Sequence, residues 1–134
     1  MKNIKVAAGI IRSNGKVLIT RRAPKEKMAG GWEFPGGKIE NNESEEECLV
    51  RELKEELDIT VCVDKFCIKT TYDYGDIYLD LRAHYCSIID GTIKLSVHDQ
   101  YEWVGIKELL KYNLLPADVS IAERVMEEYN EQFL

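Results

Sequence analysis

Gly37-Lys38-Ile39-Glu40-Asn41-Asn42-Glu43-Ser44-Glu45-Glu46-Glu47-Cys48-Leu49-Val50-Arg51-Glu52-Leu53-Lys54-Glu55-Glu56-Leu57-Asp58-Ile59 holds both the clearest helix of this chain and its densest acidic cluster. Ser44 followed three residues later by Glu47 is a capping box, and Glu45, Glu46 and Glu47 set negative charge at the positive end of the helix dipole. Leu49, Leu53 and Leu57 recur at four-residue spacing, with Val50 beside them, so Ser44 to Leu57 is predicted as a helix docked by one apolar stripe. Glu52, Glu55 and Glu56 stand three and four residues apart, which puts Glu52 beside both others on one face. Like charges at that spacing cost an isolated helix about 0.2–0.5 kcal/mol per pair. A solvated acidic face is the plain reading, but here the stripe docks the helix and aims the glutamates at its edge, beside the Gly36-Gly37 turn. Clustered carboxylates suit hard cations such as magnesium, which keep waters for substrate phosphates to replace. Arg51 lies one turn before Glu55 and can hold a carboxylate in a bidentate pair.

Working outward, Ile4 to Arg12 reads as a strand, Asn14-Gly15 as a two-residue hairpin turn and Lys16 to Arg21 as the returning strand. A loop with Pro24 and Gly30-Gly31 leads to a short extended piece, Trp32-Glu33-Phe34, which ends at Pro35-Gly36-Gly37. Val61 to Thr71 and Ile77 to Ile89 form a predicted long hairpin, and Asp90-Gly91 turns the chain toward a further strand. Tyr101 to Val104 is predicted as a short strand and Ile106 to Tyr112 as a helix. Asp118 to Phe133 is an amphipathic helix with Ile121, Ala122, Val125, Met126 and Tyr129 on one side. Without repeats or linkers, the 134 residues read as one α/β domain, residues 1–134, with a single-domain core.

Composition narrows the function. With 45% hydrophobic and 31% charged residues the chain is globular. No apolar run approaches the roughly 20 residues that span a bilayer, and the N-terminus lacks the regions of a signal peptide, so no membrane partner and a cytoplasmic location are expected. Cys48, Cys62, Cys67 and Cys86 form no CxxC pair, and with only His84 and His98 beside them the spacing for a zinc site is missing. Reduced thiols are expected. The net charge of -6 and the lack of a clustered Lys/Arg run argue against a nucleic-acid polymer, including an RNA end, because such binding rests on neutralised phosphates. A free nucleotide bridged by metal ions remains compatible with it.

The pattern Gly37, five residues, Glu43, seven residues, then Arg51-Glu52-Leu53-Lys54-Glu55-Glu56-Leu57-Asp58-Ile59 resembles the Nudix box. Similarity to the MutT-like branch of Nudix hydrolases extends over almost the whole chain, through Thr20-Arg21-Arg22, Glu33-Phe34-Pro35-Gly36-Gly37-Lys38-Ile39-Glu40, Glu102-Trp103 and Leu115-Pro116-Ala117-Asp118. The resemblance implies an α/β/α sandwich with a mixed sheet. It implies catalytic metal ligands at Glu52, Glu55, Glu56 and the Gly36 carbonyl, for magnesium or else manganese, with Glu43 in a supporting or secondary metal role and Arg51 holding the ligands in place. Arg22 and Lys38 would meet substrate phosphates, or else be ordinary surface charges. The implied reaction is attack by a metal-activated water on a phosphorus of a nucleoside triphosphate, giving the monophosphate and pyrophosphate. A monomer or a homodimer would serve.

Two positions depart from that pattern. Asp58 stands where the box carries glycine, at a helix end that favours the left-handed conformation. Asp tolerates it at roughly 1 kcal/mol. Val97 stands where MutT-like enzymes often carry another glutamate, and either His98 or Asp99 is the candidate to replace it. Asp118 matches the position that reads the base, or else caps the last helix. As an ionised carboxylate it would only accept hydrogen bonds, which suits the exocyclic amine of cytosine and the donors of guanine alike. The Leu-Pro-Ala-Asp run resembles the CTP pyrophosphohydrolase group, so CTP, dCTP or a modified cytosine nucleotide leads, with 8-oxo-dGTP next. Phe34, Tyr72, Tyr74 and Tyr78 are candidates to stack on a base, although aromatics on strands more often fill a core. ADP-ribose hydrolases often carry a proline soon after the box, and none occurs between Pro35 and Pro116. The rival of another class is a nucleotide-binding regulator without turnover, which only Val97 favours.

Overall fold

In the computed structural model, which describes residues 2–132, strand β1 (Lys2–Ser13) is central and explains why the chain carries helices on both faces. Its side chains alternate across the sheet. Ala7 and Ile11 join a core with Cys48, Leu49, Leu53 and Leu57 of helix α1 (Glu45–Leu57). Ala8 and Ile10 join a second core with Ala117, Ile121, Ala122 and Val125 of helix α2 (Pro116–Gln132). Leu18 faces α1, whereas Val17 and Ile19 face α2. The result is an α/β/α sandwich, as the resemblance implied.

The sheet is mixed. β1 runs parallel to β6 (Ile77–Asp90), from Lys2 opposite Ile77 to Ile11 opposite Cys86. Its other edge is shared. Val6, Ala7 and Ala8 pair antiparallel with the short β4 (Gly36–Lys38), and Arg12 and Ser13 pair with β2 (Lys16–Arg22). Asn14 and Gly15 take φ of 52° and 76°, the left-handed pair a two-residue hairpin demands. β2 also pairs with β3 (Trp32–Glu33) and with β7 (His98–Gly105), while β5 (Thr60–Asp73) closes the far edge against β6.

Helix α1 forms as its sequence dictates. Glu47 N–H donates to Ser44 Oγ at 3.0 Å and Ser44 N–H to Glu47 Oε1 at 2.9 Å, the reciprocal capping box. Leu49, Leu53 and Leu57 are fully buried, each contributing on the order of 1.5–3 kcal/mol. Val50 instead lies 40% exposed, outside the stripe. Asp58 adopts φ 57° and ψ 35°, its N–H bonds to Lys54 O at 3.1 Å, and its carboxylate pairs with Lys54 Nζ at 3.2 Å. The helix therefore ends as a glycine would end it.

Four expectations are corrected. The segment after Gly91 makes no strand up to β7. Its Lys94 N–H instead bonds to Leu57 O and Ser96 Oγ to Glu56 O at 3.2 Å, so the segment satisfies the open end of α1 while Ile93 and Leu95 cover the core. β7 begins at His98, three residues earlier than expected, with a bulge between Arg21 and Arg22 on its β2 partner. The helix after β7 is a six-residue 3-10 turn, Ile106–Lys111. α2 starts at Pro116, so Asp118 sits inside its first turn and does not cap it. The expected end of that helix at Phe133 lies outside the described residues.

Candidate functional site

Gly36 and Gly37 bring backbone and carboxylates together. A Cβ on Gly36 would overlap the Ala7 carbonyl, and one on Gly37 would overlap the Glu52 carboxylate. The Cys48 thiol donates to Gly37 O at 3.4 Å and ties the turn to α1. Only glycine lets β4 pass this close to the acidic edge of the helix.

Arg51 organises that edge. Its Nε and Nη2 donate to the two oxygens of Glu43 at 2.6 and 2.9 Å, its Nη1 to Glu52 at 2.9 Å and Glu55 at 3.3 Å, and Nη2 also to Lys38 O at 3.1 Å. These bonds, then the Glu40 N–H, hold the Glu43 carboxyl down to about 2. Glu52 is 13% exposed in its side chain and Glu55 59%, so Glu52 lies inside the site and Glu55 at its rim.

Glu56 is different. Burial above all, then the Glu52 and Glu33 carboxylates, push its carboxyl up to about 8. Its Oε2 is buried and has no hydrogen-bond partner. A carboxyl set between two others with an unpartnered oxygen is a place where a cation would relieve the repulsion. The donor set is all oxygen, which fits a hard divalent ion.

Glu56 opens on a cleft of about 620 Å³, lined also by Arg22, Glu33, Phe34, Gly36, Gly37, Tyr74, Val97, His98, Leu115 and Asp118. That is the size of a nucleotide-class ligand site. Asp118, nearly buried, lies in this wall, where its Oδ1 accepts from the Phe34 N–H at 3.0 Å. Burial, and next the Glu33 charge, push its carboxyl well above the ordinary range. The ionised carboxylate expected from the sequence is thus disfavoured, and a protonated carboxyl donates as well as accepts. Phe34 is itself buried in the α2-side core, and Tyr74 receives the Ala117 N–H on its hydroxyl at 3.2 Å. Tyr72 and Tyr78 are exposed and outside the wall.

Arg22 is in the wall but held, donating from Nε to Lys27 O at 2.6 Å and from Nη1 to Glu33 Oε1 at 3.0 Å. Lys38 is not in the wall and reaches the site through its carbonyl, which Arg51 binds. Of the two candidates beside Val97, His98 is buried and lines the cleft, while Asp99 forms a two-bond pair with Arg21 at 2.8 and 3.0 Å. Adjacent strand residues face opposite ways, and the pleat gives the cleft to His98. Glu33, which joins Arg22 to His98, was not singled out as a site residue. Its signal was a lone charge in the otherwise uncharged run Trp32 to Gly37.

The NUDIX domain family matches residues 6–124. CTP pyrophosphohydrolase of Escherichia coli (strain K12) is 37% identical over 126 residues, covering 94% of this chain and 93% of that protein. The 8-oxo-dGTP diphosphatase of the same organism is 45% identical over 82 residues, 60% of this chain and 64% of that protein. The crystal structure of the MutT protein from Methanosarcina mazei Go1 superimposes with a TM-score of 0.85 at 28% identity, covering 96% of each chain.

Proposed function

This chain belongs to the Nudix family of hydrolases, and on that premise we propose that it cleaves a cytosine nucleoside triphosphate, CTP, dCTP or a modified form, to the monophosphate and pyrophosphate. One observation carries the reading: a single nucleotide-sized cleft has an unsatisfied carboxylate, Glu56, and a neutral-leaning acid, Asp118, in its wall. The first would hold the cation that meets the phosphates, and the second would meet the base.

Glu52, Glu55, Glu56 and the Gly36 carbonyl would hold a divalent cation, magnesium or manganese. Bound there, such an ion supplies charge to the phosphates and a more acidic water. The protein supplies positioning. Arg51 keeps Glu52 and Glu43 in one geometry, and Arg22, braced by Glu33, offers a fixed cation to the phosphate chain. Asp118 keeps one oxygen on Phe34 N–H and presents the other to the base. Protonated on the oxygen that Phe34 leaves free, it would donate its hydroxyl to the N3 acceptor of cytosine, a contact that burial strengthens. The similarity to CTP pyrophosphohydrolase over nearly the whole chain supports cytosine. The 45% identity to an 8-oxo-dGTP diphosphatase supports a second reading, since the same hydroxyl can donate to the O6 of guanine. A cytoplasmic location is part of this reading, and it is supported by four free cysteines, as a reducing compartment would keep them. No helix among the described residues is long and apolar enough to cross a membrane.

The test is pyrophosphate release with magnesium across CTP, dCTP, 5-methyl-dCTP, dGTP, 8-oxo-dGTP and ADP-ribose. Fastest release from a cytosine nucleotide is expected. Fastest release from 8-oxo-dGTP promotes the second reading, and binding without release from any of them overturns the hydrolytic one.

A further inference from the structure

Among the described residues two buried side-chain polar atoms lack a hydrogen-bond partner, Glu56 Oε2 and His98 Nδ1, and both residues line the same cleft. Buried polar atoms are nearly always paired, so orphans on two residues that line one cavity point to groups that a bound ligand or water satisfies. Glu56 is accounted for by a cation. His98 is not, because a hard ion prefers oxygen.

The imidazole is held from behind. Its side chain is 2% exposed, and Nε2 lies 2.9 Å from Glu33 Oε2. A carboxylate accepts, so Nε2 carries the hydrogen and Nδ1 of the neutral ring keeps its lone pair. Glu33 cannot swing away, because Arg22 Nη1 holds its other oxygen at 3.0 Å. The charged groups around the ring are thus Glu33 from β3 and Arg22 from β2, with Glu56 and Asp118 in the walls of the same cleft. Its place is the phosphate end: Ser96, two residues before it, is bonded to the carbonyls of Glu55 and Glu56, and Arg22 faces it across the β2–β7 ladder.

We propose that His98, oriented by Glu33, is the catalytic proton acceptor for the attacking water, in the space that Val97 leaves without an acidic group. The inference rests on the hydrolytic reading above. The water O–H breaks and its proton passes to Nδ1. The oxygen forms the new bond to the α- or β-phosphorus, and the P–O bond of the α–β bridge breaks with its electron pair leaving on the displaced phosphate product. His98 then returns the proton to solvent. A carboxylate that fixes tautomer and stabilises the imidazolium is the arrangement that makes histidine an efficient base.

The experiment uses full-length protein with magnesium, wild type and His98→Gln, whose amide can still donate to Glu33; Glu33→Gln is the second variant. Turnover is measured beside the affinity of an α,β-methylene nucleotide analogue, which cannot be cleaved, and beside the ¹⁵N resonances of the His98 ring. Expected are a fall in kcat of about 10²- to 10⁴-fold in His98→Gln, analogue affinity within about threefold of wild type, since the ring acts on the water and not on the nucleotide, and a smaller kcat loss in Glu33→Gln. The wild-type ring should be the Nε2–H tautomer, with an Nδ1 resonance that moves when the analogue binds. Wild-type kcat in His98→Gln, loss of analogue affinity in step with kcat, or an Nδ1–H tautomer each overturns the inference and leaves the hydrolytic reading standing. No turnover by wild type on any nucleotide overturns both.

Discussion

The raised carboxyl of Glu56 makes the metal-free protein lose stability as pH rises, and Glu56→Gln should remove that loss. The folded-state value of about 8 lies above the ordinary 4.5, so between those values the folded chain binds a proton that the unfolded chain has released. The resulting stability is fully present below about pH 4.5 and is lost as pH rises through 8. At about 1.4 kcal/mol for each pH unit, tapering near 8, wild type should lose on the order of 2 kcal/mol between pH 6 and pH 8 through this group. Glutamine does not titrate. Urea unfolding of both proteins at the two pH values, with a chelator present, gives a double difference in which any pH-independent effect of the substitution cancels. The gap between them should shift by about 2 kcal/mol in favour of Glu56→Gln, equivalent to about 8 °C in Tm for a domain this size. Magnesium should stabilise wild type at pH 8 and do little for the variant, since a ligand that binds only the folded state adds stability in proportion to its occupancy. A gap that is the same at pH 6 and pH 8 would refute the reasoning, because Glu56 would then not be an acid held against burial and two neighbouring charges.

Three further outcomes bear on the same site. Glu55→Gln should lower turnover by at least about a hundredfold, as loss of an electrostatic stabiliser does; near-normal kcat would remove this exposed glutamate from the ligand set. Gly37→Ala should displace the Glu52 carboxylate, which a Cβ would overlap, and cut kcat/KM by about a hundredfold, with unchanged far-UV circular dichroism; undiminished activity would mean that the turn has room after all. Asp118→Asn should change the ranking of nucleotides more than the best kcat, because an amide also donates and accepts but cannot exchange those roles at one atom. An identical substrate profile would leave Asp118 with only its bond to Phe34 N–H.

Much of this was legible from residues a few positions apart. The capping box at Ser44, the Leu49-Leu53-Leu57 stripe, the Asn14-Gly15 turn and the converging Glu52, Glu55 and Glu56 all follow from helix and strand periods, which are properties of local backbone geometry. The stretch from Gly91 to β7 was not legible. It has strand-like residues, but its backbone groups go to the end of α1.

What the sequence by itself determined is the fold class, the family and the identity of the acidic helix edge, because those depend on spacing within one element. Only the tertiary structure decided that His98 and not Asp99 enters the cleft, that Glu33 joins it to Arg22, that Lys38 stays outside, and that Glu56 and Asp118 are held toward their neutral forms. Those outcomes turn on which distant segments exclude water from a group and which charges they bring beside it. Desolvation and Coulomb interaction act through space, across separations such as the 84 residues between Phe34 and Asp118, and no local period encodes them.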